Sequence, residues 1–538
     1  MPARQLPERA LLATLVFVVG AASLGVEIAV ARLLAPYFGA STIVWANTIA
    51  VVLVALSAGY WFGGRAADRH PHLRGLCWLV LAAAVLIAAV PFAARPFLGF
   101  SVDAFADVSV GGFAGSLFGV LVLVAVPVTL LGAAAPWAVR LAVAEVRGAG
   151  EVVGRLYAIS TAGSLVGTML SALVLIPLLG TQRTFLAFAA ALALVASLGA
   201  GRRLAVAVPT ALALAALLIP AGTIKGAGEG RVLYEAETTQ QYARVVERDD
   251  GSRALELNEG QAVHSLYVPG SYLTGDYWDG HLVLPAASGR PAPRRIAILG
   301  NAGGTVARAF GHYFPRTAVD AVEIDAELTE LGRRYLDLRN PRMSVHSEDA
   351  RPWLERSAGG FDAIMVDAYR QPYIPFYLAT REFFELARER LAPGGLVIVN
   401  VGHPEGSDEL ERVLGATMAA AFPRVMRYPI EDTNTLLVAG DGAFSAARLR
   451  AASASLPAEL RPLAREAAAG LAPRLPGGEV YTDDHAPRSS GWSTAHCWNT
   501  PVTDRALAWL VTGPLGRGVA FAIDFGSALR TMLARRRA

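Results

Sequence analysis

Cysteine is scarce in this chain. Of 538 residues only two are cysteines, Cys77 and Cys497, and they lie far apart in the sequence. Two isolated cysteines provide neither a disulfide framework nor the ligand spacing of a zinc site. We therefore expect no metal, and the cysteines do not indicate a redox compartment.

Charge is also scarce. Charged residues make up 17% of the chain, whereas globular proteins contain about 25%. The net charge is only +3, and the basic residues do not cluster on one periodic face. We therefore expect no nucleic-acid partner. The shortage of charge is local, because most charged residues come after about residue 225.

Long apolar runs fill the first 225 residues. Roughly seven runs approach the ~20 residues that a membrane-spanning helix requires. They lie near residues 11–35, 43–63, 76–95, 112–134, 156–179, 184–200 and 204–221. The last two are short, and a re-entrant pair is the alternative for them. The pattern predicts an all-α transmembrane bundle of about seven helices at 1–225, in a multi-pass protein of the cell membrane with the lipid bilayer as a partner.

Arginines between the runs indicate orientation, because positive charge marks cytoplasmic loops. Arg65, Arg69 and Arg74 lie between the second and third runs, and Arg140 and Arg155 follow the fourth. This bias predicts a cytoplasmic N-terminus. Seven crossings would then leave the second half outside, so either one run does not cross or the second half is extracytoplasmic. The sequence leaves both open.

The C-terminal tail, residues 501–538, is amphipathic and ends in "RRRA". A helix lying on a membrane surface, with its basic end at the headgroups, is one interpretation. A C-terminal docking helix is the other.

The second half of the chain is predicted to contain a small subdomain and a larger domain. Residues 226–290 contain short alternating runs separated by turns such as "DDGS", which predict a small antiparallel β subdomain. From 291 to 500 strands alternate with helices, beginning with "RRIAILG" and "GGTVARAFGHYF". This alternation predicts a Rossmann-like α/β domain with a parallel sheet and helices on both faces.

Ligands of such sheets bind at the carboxyl ends of the strands. Gly300, Gly303 and Gly304 follow the first strand, where glycine allows a tight turn and a close approach to a ligand. Glu323 ends the second strand, 20 residues beyond Gly303, a spacing suited to hydrogen bonds with ribose hydroxyls. We expect a nucleoside-containing ligand; the alternative is a tight turn and a surface glutamate.

Two aspartates follow the next two strands. Asp349 follows the third strand, where a carboxylate can accept a hydrogen bond from an adenine amino group. Asp367 ends the fourth strand, beside the expected reaction site; its alternative role is to cap the next turn. Asp362 precedes that strand and is expected to be a turn residue.

These motifs resemble the spermidine synthase family, the polyamine aminopropyltransferases. The resemblance rests on "ILGNAGGT", "VEID", "EDA" and "FDAIMVDAY" within residues 230–405, and on "TDDHAP" at 482–487. "GVEIAVARLLAPYFG" and "YAISTAGSLVGTMLSALVLIPLLG" resemble the bacterial branch that fuses an N-terminal multi-pass membrane region to this domain.

The resemblance implies an activity. It implies a fold of the S-adenosylmethionine-dependent methyltransferase type, and transfer of an aminopropyl group from decarboxylated S-adenosylmethionine to a small amine such as putrescine. The family's usual dimer implies a homodimer. The implied catalytic residues are Asp367 and Tyr277, the tyrosine of "YWDGHLVLP". The implied cofactor-binding residues are Gln241 of "QYARVVE", Gly300, Gly303, Gly304, Glu323 and Asp349.

Three positions depart from the family pattern. Ala302 stands where the family carries an aspartate that holds the cofactor's amino group, and Trp278 stands where it carries a histidine. Arg370 stands where the family carries its second aspartate. Unless Arg370 points away or pairs with Asp367 or Asp483, the acceptor is not an ordinary polyamine. An arginine about 4 Å from a substrate ammonium would cost about 4 kcal/mol at a dielectric constant of 20.

These departures leave two alternative functions open. The first is an S-adenosylmethionine-dependent methyltransferase, because Ala302 lacks the group that would favour the aminopropyl cofactor. The second is a non-catalytic membrane transporter or sensor whose second half binds a nucleoside or a polyamine.

Overall fold

The computed structural model describes residues 5–39, 42–105, 111–143, 148–200, 202–218, 230–238, 240–258, 263–369, 374–403 and 405–484. The predicted C-terminal tail lies outside these ranges, as do Arg370 and the second half of "TDDHAP". The described part before residue 219 is helical, and the part after residue 229 is built on two β-sheets.

The helical half consists of long apolar helices. In its described residues these are α1 (Gln5–Phe38), α2 (Thr42–Arg69), α3 (Leu73–Phe105), α4 (Gly111–Ala142), α5 (Ala149–Leu170), α6 (Ile176–Ala200) and α7 (Arg202–Leu218). A π-helical turn, Ser171–Leu175, joins α5 to α6. Gly180 interrupts α6 with φ 80° and ψ 166°, and this conformation kinks the helix.

Close packing between α1 and α5 depends on small residues. A Cβ atom at Gly163 would lie 2.1 Å from the backbone oxygen of Phe17, and one at Gly167 would lie 2.0 Å from that of Ala21. Only glycine permits this approach, which is typical of helix pairs in a lipid environment.

Five segments in the described residues are long and apolar enough to cross a membrane. They are Glu8–Phe38, Val44–Arg69, Leu73–Ala94, Phe113–Ala142 and Ala149–Ala200. The sequence suggested about seven runs. The fifth and sixth runs differ from that expectation because the chain stays helical through the π turn and the kink, forming one segment of 52 residues. The seventh is shorter, since the apolar part of α7 covers only Ala207–Ala216.

A four-stranded antiparallel sheet follows the helices. Its strands, in spatial order, are β1 (Arg231–Glu237), β2 (Tyr242–Glu247), β3 (Arg253–Leu257) and β4 (Val263–Tyr267). Val245 and Leu255 on this sheet pack against Leu328 and Leu331 of the larger domain. The small sheet therefore packs against helix Ala326–Tyr335 of the larger domain.

The larger sheet has eight strands in the described residues. They are β5 (Arg295–Leu299), β6 (Ala318–Val322), β7 (Met343–His346), β8 (Phe361–Val366), β9 (Leu391–Gly402), β10 (Arg424–Glu431), β11 (Asn434–Gly440) and β12 (Ala472–Pro473). Their order is β12-β10-β11-β9-β8-β5-β6-β7. The five strands from β7 to β9 are parallel, which confirms the predicted Rossmann-type fold.

An antiparallel edge makes the sheet mixed. Strands β10 and β11 are joined by the two residues Asp432 and Thr433, and so short a connection allows only antiparallel pairing. Strand β11 then pairs antiparallel with β9. The sequence predicted a parallel sheet and did not reveal this edge.

Helices cover both faces of the sheet. They are α8 (Trp278–Val283), α9 (Thr305–Tyr313), α10 (Ala326–Tyr335), α11 (Ala350–Arg356), α12 (Arg381–Arg390), α13 (Glu409–Ala421), α14 (Ala446–Ala452) and α15 (Leu460–Gly470). Alternate residues of β5 face opposite cores: Ile296 and Ile298 lie in one, and Ala297 and Leu299 in the other. Burial on both faces explains the continuous apolar runs of these strands.

Hydrogen bonds join α6 of the helical half to the small sheet. The backbone N–H of Thr181, next to the kink in α6, donates to Oε2 of Glu237 at the end of β1 over 3.1 Å, and the hydroxyl of Thr181 contacts the same oxygen. The Glu237 side chain is half-buried, and this burial raises the pKa of its carboxyl.

Candidate active site

The carboxyl ends of β5, β6 and β8 bring three predicted site elements together. Gly300, directly after β5, has φ +91°, and a Cβ atom there would lie 2.5 Å from the backbone oxygen of Asp367 and from Cα of Ala368. Its N–H donates to the backbone oxygen of Val322 over 2.9 Å. The glycine loop is thus wedged between the ends of the two neighbouring strands, and only glycine fits there.

The rest of the loop is held by the small sheet. The N–H of Gly303 donates to Oγ of Ser265 on β4 over 2.9 Å. Gly304 has φ +86° and precedes α9, and a Cβ atom there would lie 2.6 Å from the side chain of Leu338. These contacts fix the conformation of the loop.

Glu323 lies immediately after β6 and is buried. Its Oε2 accepts from the N–H of Ala302 over 2.8 Å, and its Oε1 accepts from the N–H of Asp325 over 3.0 Å. Burial raises the pKa of the Glu323 carboxyl to about 7, although the two backbone donors oppose the shift. The carboxylate is thus anchored at the glycine loop.

Gln241 directly precedes β2, and its side chain lies near the end of β6. Its side chain hydrogen bonds to the carboxylate of Asp325, which also accepts from the hydroxyl of Thr238 over 2.5 Å. Asp325 caps α10 as well. Gln241 is therefore oriented by the residue two positions beyond Glu323.

Asp349 has local partners. It caps α11, where its Oδ1 accepts from the N–H of Arg351 over 3.0 Å. Its Oδ2 accepts from the hydroxyl of Tyr377 over 2.6 Å. Its predicted contact with adenine is not tested by these bonds and stays a prediction.

Asp367 follows β8 at the centre of the site. The Tyr277 hydroxyl donates to its carboxylate, with distances of 3.1 Å to Oδ2 and 3.3 Å to Oδ1. Nδ2 of Asn400 donates to Oδ1 over 2.9 Å, and the Trp278 side chain also hydrogen bonds to the carboxylate. Burial raises the pKa of Asp367 to about 7, and these three donors oppose the rise. Such a group exchanges its proton near neutral pH.

A backbone hydrogen bond fixes the position of Tyr277. It immediately precedes α8, and its N–H donates to Oε1 of Glu431 on β10 over 2.8 Å. Burial, and next the negative charge of Asp367, raise the pKa of the Tyr277 phenol well above its usual value. The phenol therefore stays protonated and acts as a donor.

Several residues at the site were not anticipated. Asn400 and Glu431 were not singled out, although Asn400 is the only polar residue in the apolar run "GLVIVNV". Asn301, inside the glycine loop, is 5% exposed, and both polar atoms of its amide lack a hydrogen-bond partner within the described residues.

One aspartate differs from expectation, and another has a partner that the sequence did not indicate. Asp362 lies within β8 rather than before it, and its carboxylate accepts from Nη1 of Arg290 over 2.9 Å and from the N–H of Arg294 over 2.7 Å. Asp483, a possible partner of Arg370 from the sequence, forms a bidentate pair with Arg351 at 2.8 and 2.6 Å. In the described ranges no three His, Cys, Asp or Glu side chains group as a metal site.

The residues around this site are similar in sequence to known proteins. Residues 280–437 match the model of the spermine/spermidine synthase domain. A "probable polyamine aminopropyl transferase" of Bifidobacterium longum is 35% identical over 195 residues, which cover 36% of this chain and 43% of that protein. A polyamine aminopropyltransferase of Mycobacterium tuberculosis is 29% identical over 352 residues, 60% of this chain and 65% of that protein.

The matches are partial. The chain spans about half the length of the curated relatives that it matches. The crystal structure of a probable spermidine synthase from Corynebacterium glutamicum aligns with a TM-score of 0.37 and 22% identity, covering 49% of this chain and 98% of that one.

Proposed function

We propose that this chain, whose residues 280–437 match the model of the spermine/spermidine synthase domain, is a membrane-anchored aminopropyltransferase. The observation that carries the proposal is the carboxylate of Asp367, which stands at a strand end with its pKa raised by burial to about 7 and accepts from Tyr277. The donor is decarboxylated S-adenosylmethionine, used as a co-substrate, and the acceptor is a small amine such as putrescine.

The reaction is a displacement at carbon. The acceptor nitrogen forms a bond to the aminopropyl carbon beside the sulfonium, and the carbon–sulfur bond breaks with its electron pair moving to sulfur. A neutral thioether leaves, and the nitrogen gives up one proton. The acceptor must first be unprotonated, although an alkyl amine of the lysine type has a pKa of about 10.4.

Asp367 is suited to take that proton. An aspartate with an ordinary pKa of about 3.9 is a weak base, whereas the raised pKa of Asp367 brings its proton affinity close to neutral pH. A positioned base contributes about 10²- to 10⁴-fold to rate. Tyr277 supports this role, because its hydroxyl holds the carboxylate in one orientation.

The donor nucleoside is assigned to the loop after β5 and the end of β6. Gly300, Gly303 and Gly304 give the backbone cradle, Glu323 faces the ribose, and Gln241 and Asp349 complete the set. Asn301 supports this assignment, because a buried amide without partners costs about 1–3 kcal/mol and a bound ligand would supply the missing hydrogen bonds.

We assign four segments to the chain. Residues 1–225 form a multi-pass membrane domain of about seven helices, supported by five described segments long and apolar enough to cross a bilayer. Residues 226–290 form the small β subdomain of the transferase, residues 291–500 its Rossmann-like catalytic domain, and residues 501–538 a basic tail. The protein is assigned to the cell membrane, with lipid as its partner there.

A methyltransferase is the second candidate. Ala302 is neutral, and its N–H is engaged by Glu323, so this position offers no carboxylate to the free ammonium of an aminopropyl group. A donor that keeps its carboxyl group would not need one.

The deciding experiment incubates the purified full-length protein, in lipid nanodiscs, with a panel of amines and either donor, with products identified by mass spectrometry. An aminopropylated amine together with methylthioadenosine, formed only from the decarboxylated donor, supports the proposal. A methylated amine would favour the second candidate. Binding of a donor without any product would favour a sensor. Light scattering on the same sample measures whether the protein is the homodimer that the resemblance implies.

A further inference from the structure

Asp367 lies at one end of a chain of side-chain hydrogen bonds. Nδ2 of Asn400 donates to Oδ1 of Asp367 over 2.9 Å, and Nδ2 of Asn434 donates to Oδ1 of Asn400 over 2.9 Å. Asp367 directly follows β8, Asn400 lies on β9 and Asn434 on β11, and these three strands are neighbours in the sheet. Asn400 is 2% exposed, so water does not compete freely for its amide.

The sheet fixes where these side chains lie. Strand β9 pairs with β8 in parallel and with β11 antiparallel, so the carboxyl end of β9 lies beside the first residues of β11. Asn434 opens β11 opposite Gly402, and Asn400 pairs with Leu436. The hydroxyl of Tyr369 donates to the backbone oxygen of Asn400 over 3.1 Å and further fixes this strand end.

An amide has a donor end and an acceptor end, and the two cannot substitute for each other. Because Asn434 offers an N–H to Asn400, the oxygen of Asn400 turns toward Asn434 and its NH₂ group turns toward Asp367. This direction suits an ionised carboxylate, which only accepts. If Asn400 turned over, its oxygen would face the oxygens of Asp367, and ionisation would become less favourable.

The other groups around Asp367 do not supply a positive charge in the described part of the site. Tyr277 and Tyr369 face the carboxylate, and their phenols are neutral. Glu431 accepts from the N–H of Tyr277, and burial raises the pKa of its carboxyl. The ring of His281 lies 6.4 Å from that of Tyr277, and burial lowers its pKa to about 3, so the imidazole is neutral. Neutral donors are therefore what opposes the cost of burying the charge.

We propose that Asn434 is a positioning residue for Asp367, which sets the proton affinity of the base through Asn400 without touching a substrate. The inference rests on the proposed function, since Asp367 is taken as the base of the transfer reaction. It assigns a role to the antiparallel edge of the sheet, because β11 supplies the outer end of the chain.

The test compares Asn434→Ala with Asn434→Asp in the full-length protein. The alanine variant loses the donor, and the aspartate variant replaces it with a group that only accepts. We expect the acidic limb of kcat/KM against pH to move upward in the order wild type, Ala, Asp. If the midpoint of this rise moves up by about one pH unit, kcat/KM falls about tenfold at pH values below the midpoint and is unchanged well above it.

A purely structural role predicts a different pattern. Loss of packing would reduce kcat/KM by the same factor at every pH, and that result, or an unmoved limb in both variants, overturns the inference. Circular dichroism and donor binding by calorimetry establish that each variant is folded.

The inference is also measurable without turnover. Difference infrared spectra of wild type against Asp367→Asn isolate the carboxyl band of Asp367, and its titration gives the proton affinity directly. If the wild type forms no aminopropylated product, the proposed function fails. An upward shift of this band's titration in Asn434→Ala would still support the role of Asn434 in the hydrogen-bond chain. An unchanged titration in both variants overturns it.

Discussion

The hydroxyl of Tyr277 lies 3.1 Å from Oδ2 of Asp367, although 90 residues separate the two in the sequence. Tyr277 comes from the segment before the Rossmann-like sheet, and Asp367 comes from the end of its central strand β8. The backbone of Tyr277 is tied to Glu431 on the antiparallel edge. The pair therefore depends on three separate parts of the domain being folded together.

The Asp367→Asn substitution tests the base. The variant keeps the shape of the side chain but cannot accept a proton from the amine. We expect product formation to fall by about 10²- to 10⁴-fold, with donor affinity unchanged by calorimetry. Asp362→Asn is a matched control, because Asp362 lies on the same strand and is tied to Arg290 and Arg294 away from the site. Wild-type rates in Asp367→Asn would remove Asp367 from the mechanism.

The rate should depend on the ionisation of Asp367. Burial raises its pKa to about 7, and the base works only when deprotonated, so kcat/KM should rise as the pH increases through about 7. Tyr277→Phe removes a donor that stabilises the carboxylate, which raises the pKa further and moves the rise to higher pH. Rates measured from pH 5 to 9 check this, and a rise displaced to lower pH contradicts it.

The sequence predicted the parallel core of the sheet and named Glu323 and Asp367. Each of these residues directly follows an apolar run, and chain order alone puts such residues at one edge of a parallel sheet. Tyr277 and Gln241 could be named only through a family resemblance, since no local pattern brings their segments to that edge.

Asn400 and Asn434 could not be predicted in the same way. Their contact requires β11 to pair with β9, a long-range choice that periodicity does not encode. The sequence position of Asp349 fits two different roles. Its sequence position fitted a ligand contact, yet a carboxylate just before a helix is equally suited to capping, and its Oδ1 caps α11.

Glu323→Gln should weaken binding of the donor. A hydrogen bond to a charged group contributes about 1.5–3 kcal/mol, so we expect roughly a 10- to 100-fold rise in the dissociation constant, measured by calorimetry. Glu330→Gln is the control, because Glu330 pairs with Arg333 on the exposed side of α10. Equal affinities in wild type and Glu323→Gln would show that Glu323 does not hold the ribose.

Gly300→Ala should disrupt the site through the backbone. The new Cβ would lie 2.5 Å from two backbone atoms of Asp367 and Ala368, and the residue would keep φ +91°. Gly360 has φ +79° with no atom within 4 Å of an added Cβ, so Gly360→Ala has backbone strain without the clash. We expect a loss of about 1 kcal/mol for Gly360→Ala and a larger loss, with no activity, for Gly300→Ala. Thermal unfolding with similar losses in both variants would contradict the close approach.

The contact between Thr181 and Glu237 should stabilise the junction of the membrane helices with the transferase. Thr181→Val removes the hydroxyl that faces the half-buried Glu237 carboxylate, and a typical hydrogen bond contributes about 0.5–1.5 kcal/mol. We expect a lower melting temperature in nanodiscs and earlier protease cleavage between the helical half and the small sheet. Thr168→Val is the matched control, because within the described residues that hydroxyl bonds to Ser164 of its own helix. If the two variants melt and cleave alike, the two halves are held together by other contacts.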